Sequence, residues 1–463
     1  MRDLAYLKLL SREYPNIRAA ASDIINLQAI CGLPKGTEYF FSDLHGEHEA
    51  FIYLLRSSSG IIREKIRETF GHIISEEDEV RLANLIYYPE KMINQIKQAN
   101  EYTEDWQKTA VYRLVQICRE VSSKYTRSKV RKKMPKEFSG VIDELLYVDN
   151  TDDNKTEYYS ELINTLIDVR VADSFIVVIC SLIRSLTIDN LHILGDIFDR
   201  GPRPDIILEE LMHFHDVDIQ WGNHDISWMG AATGNRACIC NVLRMALGYN
   251  GFDVLEDGYG INLRPLSMFA ERVYRDDPCT CFLPQILDKN IYDAVDPKLA
   301  AKMHKAIAVL QYKEEGEIIK RHPEYGMEER ILLSAIRYDR GTVTIDGKEY
   351  PMRDMNFPTV DPADPLRLTD EEEELLHTLE LSFRHNARLH EHVRFLYSNG
   401  SMYKCCNSNL LYHGCIPMTE NREFDGLMVG GKMYRGKELM DFIDTQVKNA
   451  YFLPEDAPEK EAC

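Results

Sequence analysis

Four short apolar runs in this chain stop abruptly at polar clusters: FFSDLHG (40–46), NLHILGD (190–196), DVDIQWGNHD (216–225) and SNLLYHG (408–414). Each apolar part has the length of a buried strand. The Pro/Gly turn in CGLPKG precedes the first, so a strand is expected over about 37–42. Between the runs the spacing is helical. Leu4, Leu7, Leu10 and Ile17 predict helix over 1–30, and residues 48–120 read as further helices. One long helix is expected over roughly 157–186, after the turn-rich linker DNTDDNKT (149–156). The stretch 265–400 reads as an inserted helical region, with a capping box of Thr369 and Glu372. GKELMDFIDTQVK starts a final helix. No fixed-period repeat is present. Strands separated by helices predict the α/β class.

Composition narrows the function. With 463 residues, 44% hydrophobic and 28% charged, the chain is an ordinary globular protein of two or three domain-sized units. Its net charge of −20 argues against nucleic acid and against anionic membranes as partners. An acidic protein still binds phosphorylated substrates where metal ions supply the positive charge. The basic stretch KYTRSKVRKKMPK (124–136) is expected to be a solvated helix face. MRDLAYLKLLSREYPN lacks the apolar core of a signal peptide, and the longest apolar run, FIVVICSLI (175–183), is too short to span a bilayer. The eleven cysteines include no C-x-x-C pair, which predicts reduced thiols in the cytoplasm.

The polar clusters carry the chemistry. Side chains two apart on an extended segment point the same way, so Asp43 and His45 can meet one ion. GDIFDRG supplies Asp196, Asp199 and Arg200; GNHD supplies Asn223 and His224; the last run supplies His413. Singly, a strand histidine is usually structural and GD or GN pairs are common turns. Jointly they place carboxylates, imidazoles and an amide at the ends of four strands, where open α/β sheets bind ligands. That donor mix suits Mn, Fe or Zn better than Ca or Mg.

The order D-x-H, GDxxDRG, GNHD and HG resembles the calcineurin-like metallophosphoesterases. The stretches LPKGTEYFFSDLHGEHEAF, HILGDIFDRGPRPD, QWGNHDISWMGAATGN, FLYSNGSMYKCCNSNLLYHGCIPM and RHPEYGMEER resemble the class III fructose-1,6-bisphosphatases of Firmicutes-type bacteria. The resemblance implies a metallophosphoesterase-type α/β/β/α sandwich with large helical insertions. It implies two Mn²⁺ ions, with Fe, Co and Zn as alternatives. Asp43 and His45 would hold the first ion, Asp196 both, and Asn223 and His413 the second. His224 would be the general acid, Asp199 its orienting partner and Arg200 the phosphate ligand. The implied reaction is hydrolysis of the C1 phosphate of fructose 1,6-bisphosphate, in gluconeogenesis, by a soluble enzyme that is open to homo-oligomerisation.

The pattern departs from the family at one point. A further ligand histidine in a late GH motif is expected, and His413 is the last histidine of the chain. The class III relatives continue beyond this length, so the C-terminal part of the core is expected to be missing. The expected organisation is an N-terminal helical segment (1–35), a core (36–264) interrupted by helices at about 62–170, a helical cap (265–400), and a core continuation (401–463). A phosphoprotein phosphatase, suggested by GDIFDRG alone, and an inactive truncated family member are the competing readings. RHNARLHEH (384–392) is expected to be a solvated helix face, His48, His192, His213 and His215 structural, and Arg264 a second phosphate contact.

Overall fold

The computed structural model describes residues 2–147, 153–285, 296–454, 457 and 460. Part of the expected 149–156 linker and residues 286–295 of the expected cap lie outside the described residues. The chain divides into two compact units, one of residues 1–39 and 53–190, the other of residues 40–52 and 191–463. Helices and a sheet with parallel pairings place the fold in the α/β class.

The first unit is helical. Ile62 and Ile66, Leu114 and Ile117, and Ile176, Ile179 and Ile183 recur at helical spacing and are fully buried in one core. Side-chain oxygens of Ser75 and Thr103 accept the backbone N–H three residues on, which starts helices Glu76–Tyr87 and Glu104–Ser122. The long helix expected over 157–186 is two helices, Asp153–Asp168 and Ala172–Thr187. Arg170 takes a left-handed conformation (φ 61°) between them. The Val171 N–H donates to Leu166 O and the Arg170 N–H to Ile167 O, a Schellman ending without its usual glycine. The basic stretch is also less solvated than expected. In helix Arg127–Lys133, Val130 is buried, and Lys129 and Lys133 donate to the buried Asp189 carboxylate at 2.7 and 2.8 Å.

A four-stranded sheet runs in the order Glu38–Phe41, Asn190–Ile193, Val217–Gln220, Gly400–Ser401; it lies mostly in the second unit, with residues 38, 39 and 190 of its first two strands assigned to the first. The second and third strands pair in parallel, as do the third and fourth. Two expectations fail here. The run FFSDLHG does not begin in a fully buried strand: it lies at the sheet edge, and Phe40 is 44% exposed. The run before His413 is not in this sheet. Asn407 and Ser408 both have positive φ and turn the chain back, so Asn409–Tyr412 pairs antiparallel with Tyr403–Cys406. The region 265–400 is also not all helix. A three-stranded antiparallel sheet, Ile336–Arg337, Thr342–Ile345 and Lys348–Pro351, turns at Asp346-Gly347. Of the histidines expected on a solvated helix face, His392 is buried against the Tyr259 hydroxyl at 2.9 Å. No helix among the described residues is long and apolar enough to cross a membrane.

The expected capping box forms, and its carboxylate does more than cap. Thr369 Oγ1 accepts the Glu372 N–H, and Glu372 Oε2 accepts the Thr369 N–H. The same Oε2 accepts from Lys313 Nζ at 2.7 Å, and that fully buried ammonium also donates to the carbonyls of Thr359 and Arg367. Removing one partner of a buried pair leaves the other charge uncompensated. Glu372→Ala is therefore expected to cost about 3–5 kcal/mol, read as a fall in the urea midpoint of the second unit; a midpoint within error of the unsubstituted chain would refute the role.

Candidate active site

All eight residues singled out in the sequence lie in the second unit. Most of them sit on turns that follow the sheet strands, and the backbone there is unusual. Asp43, His45, Asp196, Asp199 and Arg200 all have positive φ, between 43° and 69°. For residues with a Cβ this conformation costs about 1–3 kcal/mol each and persists only where the surroundings impose it. The surroundings are main-chain hydrogen bonds between two loops. The N–H of Asp43 donates to Gly195 O (3.1 Å), that of His45 to Asp196 O (2.8 Å), and that of Gly46 to Ile197 O (2.9 Å). The Arg203 N–H closes the set on Gly46 O at 3.1 Å.

Glycines permit this proximity. A Cβ at Gly222 would stand 2.0 Å from Asp196 Oδ1. One at Gly201 would stand 2.0 Å from the His45 carbonyl. Neither space can be opened without moving backbone or the Asp196 carboxylate.

The side chains converge on Asp196, which is nearly buried. Its Oδ2 lies 3.2 Å from His413 Nε2, 3.9 Å from His45 Nε2 and 4.0 Å from His224 Nε2. Two groups of potential ligand atoms share this carboxylate. One is His45, Asp196 and His224; the other is Asp43, Asp196 and His413; within each, the atoms lie within 4.8 Å of one another. Asp43 is the open member, with a half-exposed side chain that accepts from Ser42 Oγ.

The histidine tautomers follow from the second ring nitrogen. His45 Nδ1 lies 3.0 Å from the Phe198 carbonyl and His413 Nδ1 lies 2.6 Å from the Leu194 carbonyl. A carbonyl only accepts, so each Nδ1 carries a proton, and it is Nε2 of each ring that faces Asp196. His224 differs: its Nδ1 meets the Asp199 carboxylate at 2.7 Å. That hydrogen bond raises the His224 pKa above its ordinary value, against the lowering effect of burial. Imidazoles and a second carboxylate gathered around the Asp196 carboxylate make a mixed nitrogen and oxygen donor set that fits borderline divalent metals.

Asn223 and Arg200 are exposed, and Asn223 is the first residue of helix Asn223–Ala232. The structure brings Asp43, His45, Asp196, His224 and His413 together, with Asp199 behind His224. It also reveals residues that the sequence reading passed over. Trp228 stacks on Phe198 with ring centroids 4.6 Å apart, and its Nε1–H donates to Asp199 Oδ1 at 2.9 Å. Asp225 accepts hydrogen bonds from the loop of Asp196. Burial pushes its pKa up to about 6, with backbone donors opposing the rise. The fourth residue of GNHD was the available signal for Asp225. Trp228, one helical turn beyond His224, carried none that distinguished it from core. His192, beside the motif, is buried and meets Asp218 through Nδ1 at 2.8 Å. Arg264 begins helix Arg264–Val273 and lines an open groove of about 1190 Å³ with Arg272 and Arg275.

Comparison with known proteins bears on this site. Residues 5–462 match the family model described as Firmicute fructose-1,6-bisphosphatase. The class 3 fructose-1,6-bisphosphatase of Clostridium tetani is 52% identical over 454 residues, covering 98% of this chain and 68% of the relative. That of Bacteroides fragilis is 51% identical over 459 residues, covering 99% and 69%. That of Alkaliphilus metalliredigens is 52% identical over 452 residues, covering 97% and 68%. No solved structure matches the chain. A match over nearly the whole chain, with half the residues identical to these relatives, makes this protein a member of the Firmicute fructose-1,6-bisphosphatase family.

Proposed function

We propose that the chain removes the C1 phosphate of fructose 1,6-bisphosphate at a site built to hold two Mn²⁺ ions around Asp196. The protein is a fructose-1,6-bisphosphatase, a hydrolase of carbohydrate metabolism that serves gluconeogenesis and acts on a small sugar bisphosphate. The observation that carries the metal reading is the Asp196 carboxylate at the meeting point of both groups of potential ligand atoms. Those groups set His45 with His224 and Asp43 with His413. The assignment that follows is the one the family resemblance implies, with His45 Nε2 and Asp43 Oδ1 3.9 Å apart. Asp43 and His45 are assigned to one ion, Asn223 and His413 to the other. The metallophosphoesterase sandwich, the cytoplasmic location and the cap role of 265–400, which would favour a small substrate over a phosphoprotein, belong to the same reading.

When bound, such an ion pair neutralises phosphate charge and lowers the pKa of nearby water. The remaining work falls to the chain. Arg200, exposed at the end of GDIFDRG, offers a planar fork to phosphate oxygens. His224 donates a proton from Nε2 to the leaving sugar oxygen. Asp199 holds the imidazole by Nδ1 and keeps it protonated to higher pH, and Trp228 holds Asp199.

Two measurements test this. Phosphate release from fructose 1,6-bisphosphate in the presence of Mn²⁺ should be lost in Asp196→Ala; hydrolysis of a phosphopeptide but not of the sugar would refute the substrate. Asp199→Asn should lower kcat about 10²-fold or more. Because Asp199 raises the His224 pKa, the alkaline limb of the pH profile should also move to lower pH in that variant. A limb that stays in place would remove His224 from the acid role.

A further inference from the structure

We infer that Asp225 is a positioning residue that sets the metal-binding geometry of Asp196 before any metal arrives. The inference rests on the site proposed above. Asp225 is fully buried, at the third position of helix Asn223–Ala232. Its two oxygens take four main-chain donors. Oδ2 accepts from the N–H of Asp196 (2.9 Å) and of Gly222 (2.9 Å). Oδ1 accepts from the N–H of Ile197 (2.8 Å) and, at longer range, of Phe198 (3.4 Å).

Three consecutive amides of one loop therefore point at a single carboxylate. Such an arrangement makes a concave anion site out of backbone, normally filled by a ligand and here filled by the chain's own side chain. It fixes the left-handed turn at Asp196 (φ 53°), a conformation the residue would otherwise leave. The fourth donor, Gly222, precedes Asn223 and His224. One buried group thus holds the loop of Asp196 in register with the helix end that carries two other site residues. The His224 N–H in turn donates to Asp196 Oδ1 at 3.3 Å, so the orientation of that carboxylate is set from both sides.

The isosteric amide cannot replace it. In Asp225→Asn one oxygen still serves two donors, but the NH₂ group faces the others donor to donor. The loop can relax away from that contact without unfolding the core. Partners of ligating groups typically change metal affinity by about 10–100-fold.

The test uses the full chain and Mn²⁺ alone as probe. In calorimetric titration, Asp225→Asn is expected to bind Mn²⁺ at least 10-fold more weakly than the unsubstituted protein. Affinity within twofold of the unsubstituted protein would overturn the inference and leave the site standing. An unsubstituted protein that binds no Mn²⁺ would overturn both. A second measurement needs no variant. In metal-free protein, hydrogen exchange at the amides of 196–198 should already be slow. Fast exchange that slows only when Mn²⁺ is added would assign the loop's order to the metal and refute the role of Asp225.

Discussion

Everything in the candidate site depends on backbone amides being committed before side chains are placed. The loops at 43–46 and 195–201 are joined by direct main-chain hydrogen bonds, and Asp225 collects the amides left over from the second. This commitment forces five chemically important residues into left-handed conformations. In exchange, Asp43, His45, Asp196, Asp199 and Arg200 project from tight turns instead of lying along strands. The glycines at 195, 201 and 222 are required by the same closeness, because a Cβ at any of them would meet backbone or a site side chain well inside contact distance.

Hydrogen bonding behind the imidazoles then separates their chemistry. His45 and His413 are backed by carbonyls, which occupy Nδ1 and leave Nε2 of each ring to face Asp196. His224 is backed by a carboxylate, which favours the imidazolium. Residues of one type, within 4 Å of one carboxylate oxygen, are thereby suited to opposite tasks. The difference lies wholly in what stands on the far side of each ring.

The apolar runs and their polar ends made much of this legible from sequence. The strands near 37–42, 190–196 and 216–221 stand where the runs predicted, and the capping box at Thr369 forms. What escaped was decided by tertiary pairing or by local conformations without a composition signal. The break at Arg170 has no glycine to announce it. The strand before His413 has the right pattern, but its turn residues Asn407 and Ser408 send it to its own neighbour, and Gly400–Ser401 takes the sheet position. The Asp346-Gly347 turn was readable as a hairpin signal, yet the surrounding helical periodicity outweighed it. Lys129 and Lys133 looked solvated because their partner, Asp189, is distant in sequence. The supporting residues Trp228 and Asp225 were hidden for the same reason: their roles exist only once distant loops have met.

The claim that organises these observations is that one carboxylate, Asp196, is shared by two metal ions. Electron paramagnetic resonance of the protein loaded with Mn²⁺ and freed of excess metal tests it directly. Two ions per chain with the split signal of an exchange-coupled pair are expected, since a bridging carboxylate couples the spins. A single uncoupled six-line signal at one ion per chain would contradict a shared Asp196 and reduce the site to one metal.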